Sequence, residues 1–413
     1  MKMRPFGRLL PVPTALARLA RVTRPVGATE SVALEAALGR VAARAYAAPA
    51  AVPSFPRASW DGYAVRSVDT RAARASRAVK LRVVGDVYAE GGLGRPLRSG
   101  EAVAIATGGA VPRGADAVVM FEEVDRSGSS ISIRHPVPRG DRIAAPGDDF
   151  PRGARLVVRG TELGAPDLGA LAAVGFDRVE VYRAPVATII PNGNELVRAG
   201  RRLRRGEIYE SNNVSLGAVL QGAGAVVRAV PPISDDEPKI ERAIRDALRS
   251  SDLVVVTGGS SVGEHDYLPS IFPRVGRLLF HGFAVRPGKP TLAAVAGDRL
   301  LLGMPGHPTS CLLNAYWLLL PLVRKMAHRP GPGWVEGDAT LGATLEGSAP
   351  PFTRVVPFRV ERGVARPTFH GSSAITSLSG ANAYTFVPPG APPRTKGSRL
   401  RLRFLLPPLA TPG

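Results

Sequence analysis

The chain is 413 residues long, more than one ordinary hydrophobic core accommodates, so two to four domains are expected. Hydrophobic residues make up 45% of it, which excludes wholesale disorder, and its single cysteine, Cys311, excludes an internal disulfide and a cysteine-based zinc site. Its 54 Lys and Arg against 34 Asp and Glu give a net charge of +20, which suits anionic ligands; the densest run, RAGRRLRR at 198–205, is short and has no aromatic interleaved, which argues against nucleic acid as a partner.

The first residues are basic, but Arg8, Arg18 and Arg21 interrupt any apolar signal region. Residues 11–50 then show helical periodicity, in TALARLARV and again in SVALEAALGRVAARAY, with Thr29 and Ser31 placed as caps. From 51 to 149 short apolar runs alternate with turns (KLRVVGDV, EAVAIATGG, DAVVMFEEV, SISIRHPV), the pattern of a β-rich lobe. RLVVRGTELGAPDLGALAAVGF returns to strand and helix and can rejoin the first segment.

Residues 185–329 alternate strand and helix, the signature of an α/β domain with a mainly parallel sheet. Ser234 and Glu237 have the spacing of a capping box at one helix start. The most apolar stretch, CLLNAYWLLLPLV, is too short to span a membrane and contains Asn314 and Pro321. After HRPGPG the chain turns β-like again. The expected units are 1–50 with 150–184, a discontinuous helical and strand domain; 51–149, an inserted β lobe; 185–329, the α/β domain; and 330–413, a C-terminal β lobe. The fold class is multidomain α/β plus β, and the expectation is a soluble, cytoplasmic protein.

Ligands of open α/β sheets bind outside the carboxyl ends of the strands. Four polar clusters fall at that edge: 192–195, 234–236, 257–266 and 305–310. Gly258 and Gly259 allow backbone amides to approach an anion, although the same pair also suits a plain turn. Glu195, Asp235 and Asp266 come from three strand ends. Each alone reads equally as a helix cap, but together they repel unless a cation lies between them, and hard oxygen ligands suit Mg²⁺. Arg286 and Lys289 flank a rigid Pro-Gly turn, which serves an oxyanion as well as it serves a solvated surface. Pro305 and Ser310 lead into a helix whose start favours an anion. His265 and His307 are isolated, and Cys311 opens an apolar helix as a core residue rather than a nucleophile.

Taken together these motifs resemble the molybdopterin molybdenumtransferase family, the MoeA type, also found as the E domain of gephyrin. ASWDGYAVR (58–66), IATGGAVPRGADAVVMFEEV (105–124), TGGSSVGEHDY, VRPGKP, GMPGHPTS and GSSAITSLSGANAYTFVPPG (371–390) are similar to six of its ordered motifs, across nearly the whole chain. The resemblance implies an elongated homodimer with a MogA-like three-layer α/β domain and a barrel-like C-terminal lobe. It implies an enzyme that joins molybdate to adenylated molybdopterin and releases AMP, with Mg²⁺ as cofactor. It places Glu195, Asp235 and Asp266 near metal and phosphates, with Asp235 and Asp266 also catalytic. Asp61 and Thr107 match polar positions that the β lobe of the partner sends into the cleft. Gly258, Gly259, Ser261, Arg286, Lys289, Pro305, Ser310, Arg354 and Ser372 match substrate and molybdate positions. The upstream adenylyltransferase and apo-molybdoenzymes are the implied protein partners, with no membrane.

The sequence departs from the family pattern at four places. Asn192-Gly193-Asn194-Glu195 stands where the family has T-G-D-E, Arg286 replaces a lysine, His307 an asparagine and Trp60 a methionine. These changes leave tungstate open as the oxyanion. Two other readings are an adenylyltransferase of the preceding step, against which Ser260 and Ser261 replace the usual Thr-Gly, and a non-catalytic scaffold.

Overall fold

The computed structural model describes residues 9–87, 94–260 and 266–405. Residues 186–326 form the α/β domain around a six-stranded sheet. Its strand order is Val226–Ala229, Val186–Pro191, Leu253–Thr257, Arg299–Met304, Leu292–Ala296 and Arg277–His281. The first four strands run parallel and the last two add antiparallel. All five residues of Leu253–Thr257 are buried, because alternate side chains feed two cores. Ile189, Leu253, Val255 and Leu302 face one, Ile190, Val254, Val256 and Leu301 the other. The sheet is thus the middle of three layers.

Helix Glu237–Ser250 covers the second face with Ile240, Ile244 and Leu248, spaced one helical turn apart. Its start differs from the sequence expectation. Asp236, not Ser234, is the cap, its carboxylate accepting from the Lys239 amide at 3.1 Å, and Glu237 instead accepts from Ser270 Oγ at 2.7 Å. The carboxylate immediately before the helix takes the cap position, which displaces the capping box. On the first face the apolar stretch forms Pro308–Asn314 and Leu320–Met326, joined by one π-helical segment, Ala315–Leu319. Pro321 has no amide to give the Trp317 carbonyl and its ring crowds it, so the turn widens. Among the described residues no helix is long and apolar enough to cross a membrane.

The N-terminal periodicity gives a helix only over Val12–Val22. Val12, Ala15 and Leu19 enter the first core of the α/β sheet, and Arg18 donates to the Leu279 carbonyl at 2.9 Å. This helix therefore packs on the α/β domain rather than with residues 150–184. The second expected helix is absent. Thr29–Ala33 is a strand, paired antiparallel with Arg178–Tyr182, and Leu34–Ala36 is one 3₁₀ turn. Thr29 and Ser31 are strand residues, not caps. A ready-made partner strand outweighs the weak local preference for helix.

Tyr46–Ala47 pairs with Arg155–Val157, and Val52 bridges Phe150, so the chain leaves and re-enters one unit near these points. Between them a six-stranded sheet forms the inserted lobe, in the order Ala117–Met120, Gly62–Val65, Glu101–Ile105, Val79–Val87, Ser130–Ile133 and Val124–Ser127. At the other end, Thr353–Glu361, Val364–Pro367, Trp334–Leu341, Arg399–Leu405 and Ala383–Val387 pair in a closed ring, since the last also pairs with the first. The two-residue strand Val285–Arg286 leaves the α/β domain to join this barrel parallel to Thr353 and Arg354.

Candidate functional site

Two cavities lie near each other where the α/β domain abuts the barrel. The first has a volume of about 700 Å³ and lies at the carboxyl ends of the parallel strands. Glu195, Asp235 and Asp266, named from the sequence, all line it, with Gly258 and Gly259. Gly258 has φ +86° and a side chain there would meet the Asn192 carbonyl at 2.3 Å, so this close turn requires glycine. Gly259, at φ +61°, lies against Asn192 Nδ2.

Asn194 and Asp235 hold each other. The Asn194 amide donates to Asp235 Oδ2 at 3.3 Å, and the Asp235 amide donates to Asn194 Oδ1 at 3.1 Å. A carboxylate at position 194 would face Asp235 across this pair; the amide side chain removes that repulsion. Asn192 Oδ1 and Nδ2, Asn212 Oδ1 and Thr257 Oγ1 are buried with no hydrogen-bond partner among the described residues, and all three residues line the cavity. Buried polar atoms are costly to leave unpaired, so this wall suits a polar ligand. Among the described residues no group of three or more His, Cys, Asp or Glu side chains is gathered closely enough to hold a metal ion by itself.

The second cavity, about 480 Å³, is lined by Arg286, Pro287, Arg354, Val355, Val356, Phe369, Gly371 and Ser372. The strand pairing puts Arg286 and Arg354 side by side in register. Arg286 lies over the Phe352 ring, 3.8 Å from its centroid, and Arg354 Nη1 donates to the Glu346 and Gly347 carbonyls at 2.8 and 2.7 Å. Two arginines held in register by adjoining strands suit a multiply charged oxyanion in their charge and donor chemistry. The turn that carries Arg286 is held from below. Gly288, at φ +106°, leaves room for Asn314, whose Nδ2 donates to the Gly288 carbonyl and to Thr291 Oγ1, while Trp317 Nε1 donates to Asn314 Oδ1. This buried network is satisfied, which fixes the turn.

His307 joins the cavities. It lines the first, and its Nδ1 lies 3.0 Å from Oγ of Ser372, which lines the second. The Thr309 amide donates to the Ser372 carbonyl at 3.1 Å and Thr309 Oγ1 to the Ala374 carbonyl at 2.6 Å. The start of helix Pro308–Asn314 thus anchors the barrel loop 371–374, and neither Thr309 nor Ser310 caps it.

Other expected site residues lie elsewhere. Lys289, Pro305 and Ser310 are not among the linings of the two cavities; Pro305 and Ser310 are buried beneath them. Asp61 and Thr107 are paired with each other in the inserted lobe, where Asp61 Oδ1 accepts from the Thr107 amide at 2.7 Å and from its hydroxyl at 2.9 Å. These bonds, the amide first, hold the Asp61 carboxyl below the usual range. Neither residue lines either cavity of its own chain. Ser261, like Glu264 and His265, lies outside the described residues. Cys311 is fully buried, and burial pushes its thiol up, which agrees with a core role.

Sequence reasoning passed over Glu210, Ser211 and Asn212, which line the first cavity at the start of helix Asn212–Gly222. Asn212 Nδ2 donates to the Gly306 carbonyl at 2.8 Å, and Glu210 accepts from the Asn213 amide at 2.8 Å. Their signal was a polar run, YESNN, at the head of an apolar helix. The two-residue strand before it, Ile208–Tyr209, was too short to mark a sheet edge.

Residues 10–175 match the MoeA N-terminal region (domain I and II), 188–325 the "probable molybdopterin binding domain", and 344–401 the MoeA C-terminal region (domain IV). The molybdopterin molybdenumtransferase of Bacillus subtilis is 35% identical over 92% of this chain and 90% of its own length. The chain belongs to the molybdopterin molybdenumtransferase (MoeA) family. A Staphylococcus aureus molybdopterin molybdenumtransferase is 30% identical over 92% of both chains. A molybdopterin biosynthesis MoeA protein from Pyrococcus horikoshii superposes with a TM-score of 0.83 at 33% identity, covering 96% of this chain and 99% of its own. The resemblance read from six motifs is borne out, as is the multidomain α/β plus β fold. Membership places the chain among transferases of molybdenum cofactor biosynthesis.

Proposed function

We propose that this enzyme transfers molybdenum from molybdate into adenylated molybdopterin, giving molybdenum cofactor and AMP. The observation that carries the reading is a carboxylate-lined cavity beside a cavity lined by Arg286 and Arg354, with His307 of the first hydrogen-bonded to Ser372 of the second. The first suits the phosphoanhydride end of the substrate, and the second suits the tetrahedral molybdate dianion beside the dithiolene. The glycine turn at 258–259 brings backbone close to the phosphates, and the unpaired polar atoms of Asn192, Asn212 and Thr257 supply bonds to the ligand.

The donor set fits Mg²⁺. Hard carboxylate oxygens from Glu195, Asp235 and Asp266 line one wall, and Mg²⁺ typically takes one or two carboxylates and completes its shell with substrate phosphates and water. When bound, the ion would neutralise phosphate charge and favour cleavage of the anhydride. The residues orient the phosphates, and Arg286 and Arg354 hold the oxyanion. Asp266→Asn is expected to lower AMP release from adenylated molybdopterin about a hundredfold or more, since the electrostatic help to the leaving phosphate is worth several kcal/mol. Unchanged turnover in a reconstituted assay would remove Asp266 from the reaction.

We further propose a cytoplasmic homodimer in which Asp61 and Thr107 serve the cavity of the partner subunit, since they line neither cavity of their own chain. The upstream adenylyltransferase and apo-molybdoenzymes are its protein partners on this reading.

A further inference from the structure

The first cavity presents an electrostatic difficulty. Glu195, Asp235 and Asp266 all line it, yet its proposed ligand carries phosphates. Carboxylates at the mouth repel such an anion during approach, before any cation or hydrogen bond can act.

Beside this mouth stands the densest basic segment of the chain. Arg198, Arg201, Arg202, Arg204 and Arg205 lie on the loop between Leu196–Val197 and Ile208–Tyr209. Leu196, Ile208 and Tyr209 line the cavity, so the loop springs from its rim. All five arginines are exposed. None of the five guanidinium groups makes an ion pair or hydrogen bond among the described residues. The basic surface around helix Glu237–Ser250 offers a contrast. Arg245, Arg249 and Arg274 on and beside helix Glu237–Ser250 pair with Glu237, Glu241 and Asp246. The loop is nevertheless braced: Tyr209 Oη donates to the Arg201 carbonyl at 2.8 Å, and the Arg204 amide donates to Glu207 at 2.7 Å.

We propose that loop 198–205 captures the phosphate-bearing substrate and steers it into the carboxylate-lined cavity. The inference rests on the proposed function, because it takes an adenylated pterin as the ligand. Unpaired cations at the rim offset the field of the carboxylates over a range set by the Debye length, about 8–10 Å at physiological salt. They act on encounter and leave the chemistry to the cavity. Steering of this kind raises association rates and fades as salt rises. It also gives part of the +20 charge a specific use.

The test replaces Arg201, Arg202, Arg204 and Arg205 together by Gln, and separately by Glu. Free adenylated molybdopterin is turned over with saturating molybdate at low and high salt. The Gln variant is expected to lose about tenfold in kcat/KM at low salt, with kcat unchanged, and its salt dependence is expected to flatten. The Glu variant should lose more and reverse the sign of the salt dependence. An active wild type whose two variants match it in kcat/KM and salt slope overturns steering alone. A wild type inert toward adenylated molybdopterin overturns the functional reading, and steering with it. A defect seen only when a protein delivers the pterin, and not with free substrate, overturns steering in favour of an acidic docking partner.

Discussion

Burial raises the pKa of Glu210 above its usual value of 4.5, while the amides of Asn213 and Asn212 bond its carboxylate and pull the other way. The folded protein therefore keeps this proton over a pH range in which the unfolded chain has lost it. Its contribution to stability is fully present below about 4.5 and is lost as pH rises through the raised value. Glu210→Gln removes that loss. The difference in urea midpoint between variant and wild type is expected to move in favour of the variant as pH rises above 4.5. A difference independent of pH would show that Glu210 ionises in the fold as it does in the unfolded chain. Asp61 shows the opposite case, since bonds from Thr107 favour its charged form. Single residues were legible in the sequence where their chemistry is local. Glu195, Asp235 and Asp266 were found because each lies in a loop that follows a strand of the parallel sheet. Glu210 was not, because its cavity is formed by residues from six other segments.

At the scale of elements, strand Leu253–Thr257 and the turn after it show why spacing was informative. A fully buried run followed by two glycines leaves the backbone one route, back over the strand ends and against Asn192. Gly258→Ala places a methyl group 2.3 Å from the Asn192 carbonyl at φ +86°. It is expected to cost at least about 2 kcal/mol in stability, from a left-handed backbone and a collision together. It should also weaken substrate binding, read by denaturation and by titration with AMP. Wild-type stability in this variant would show that the turn is free to move. The second N-terminal helix marks the limit of such reasoning. The apolar spacing of 31–46 favours helix, but Arg178–Tyr182 offers a paired strand, and the pairing partner lies about 150 residues away in the chain. The N-terminal helix itself was legible, but not the sheet it covers.

For the molecule as a whole, the position of Asp61 and Thr107 leads to a mixing experiment. If each inserted lobe serves the partner's cavity, Asp61→Asn and Asp266→Asn damage different halves of one site. Each homodimer is inactive, while a mixed dimer holds one intact site and one doubly damaged site. Random mixing is expected to restore about a quarter of wild-type activity, because half the dimers are mixed and each has one working site. Mixtures as inactive as the separate variants would place both residues in one chain's site, or Asp61 outside the reaction.

The sequence by itself determined the α/β alternation, the strand-end carboxylates, the glycine turn and the ordered motifs that reveal the family. These depend on neighbours in the chain, and local periodicity and turn chemistry record them. Only the tertiary structure decided that the expected ligand groups divide between two cavities. It set Arg286 beside Arg354 through a two-residue strand crossing into the barrel, and it brought His307 to Ser372. It also left the arginine side chains of 198–205 without a partner among the described residues, beside a carboxylate-lined mouth. Strand register and packing between domains create those juxtapositions, and no spacing along the chain encodes them.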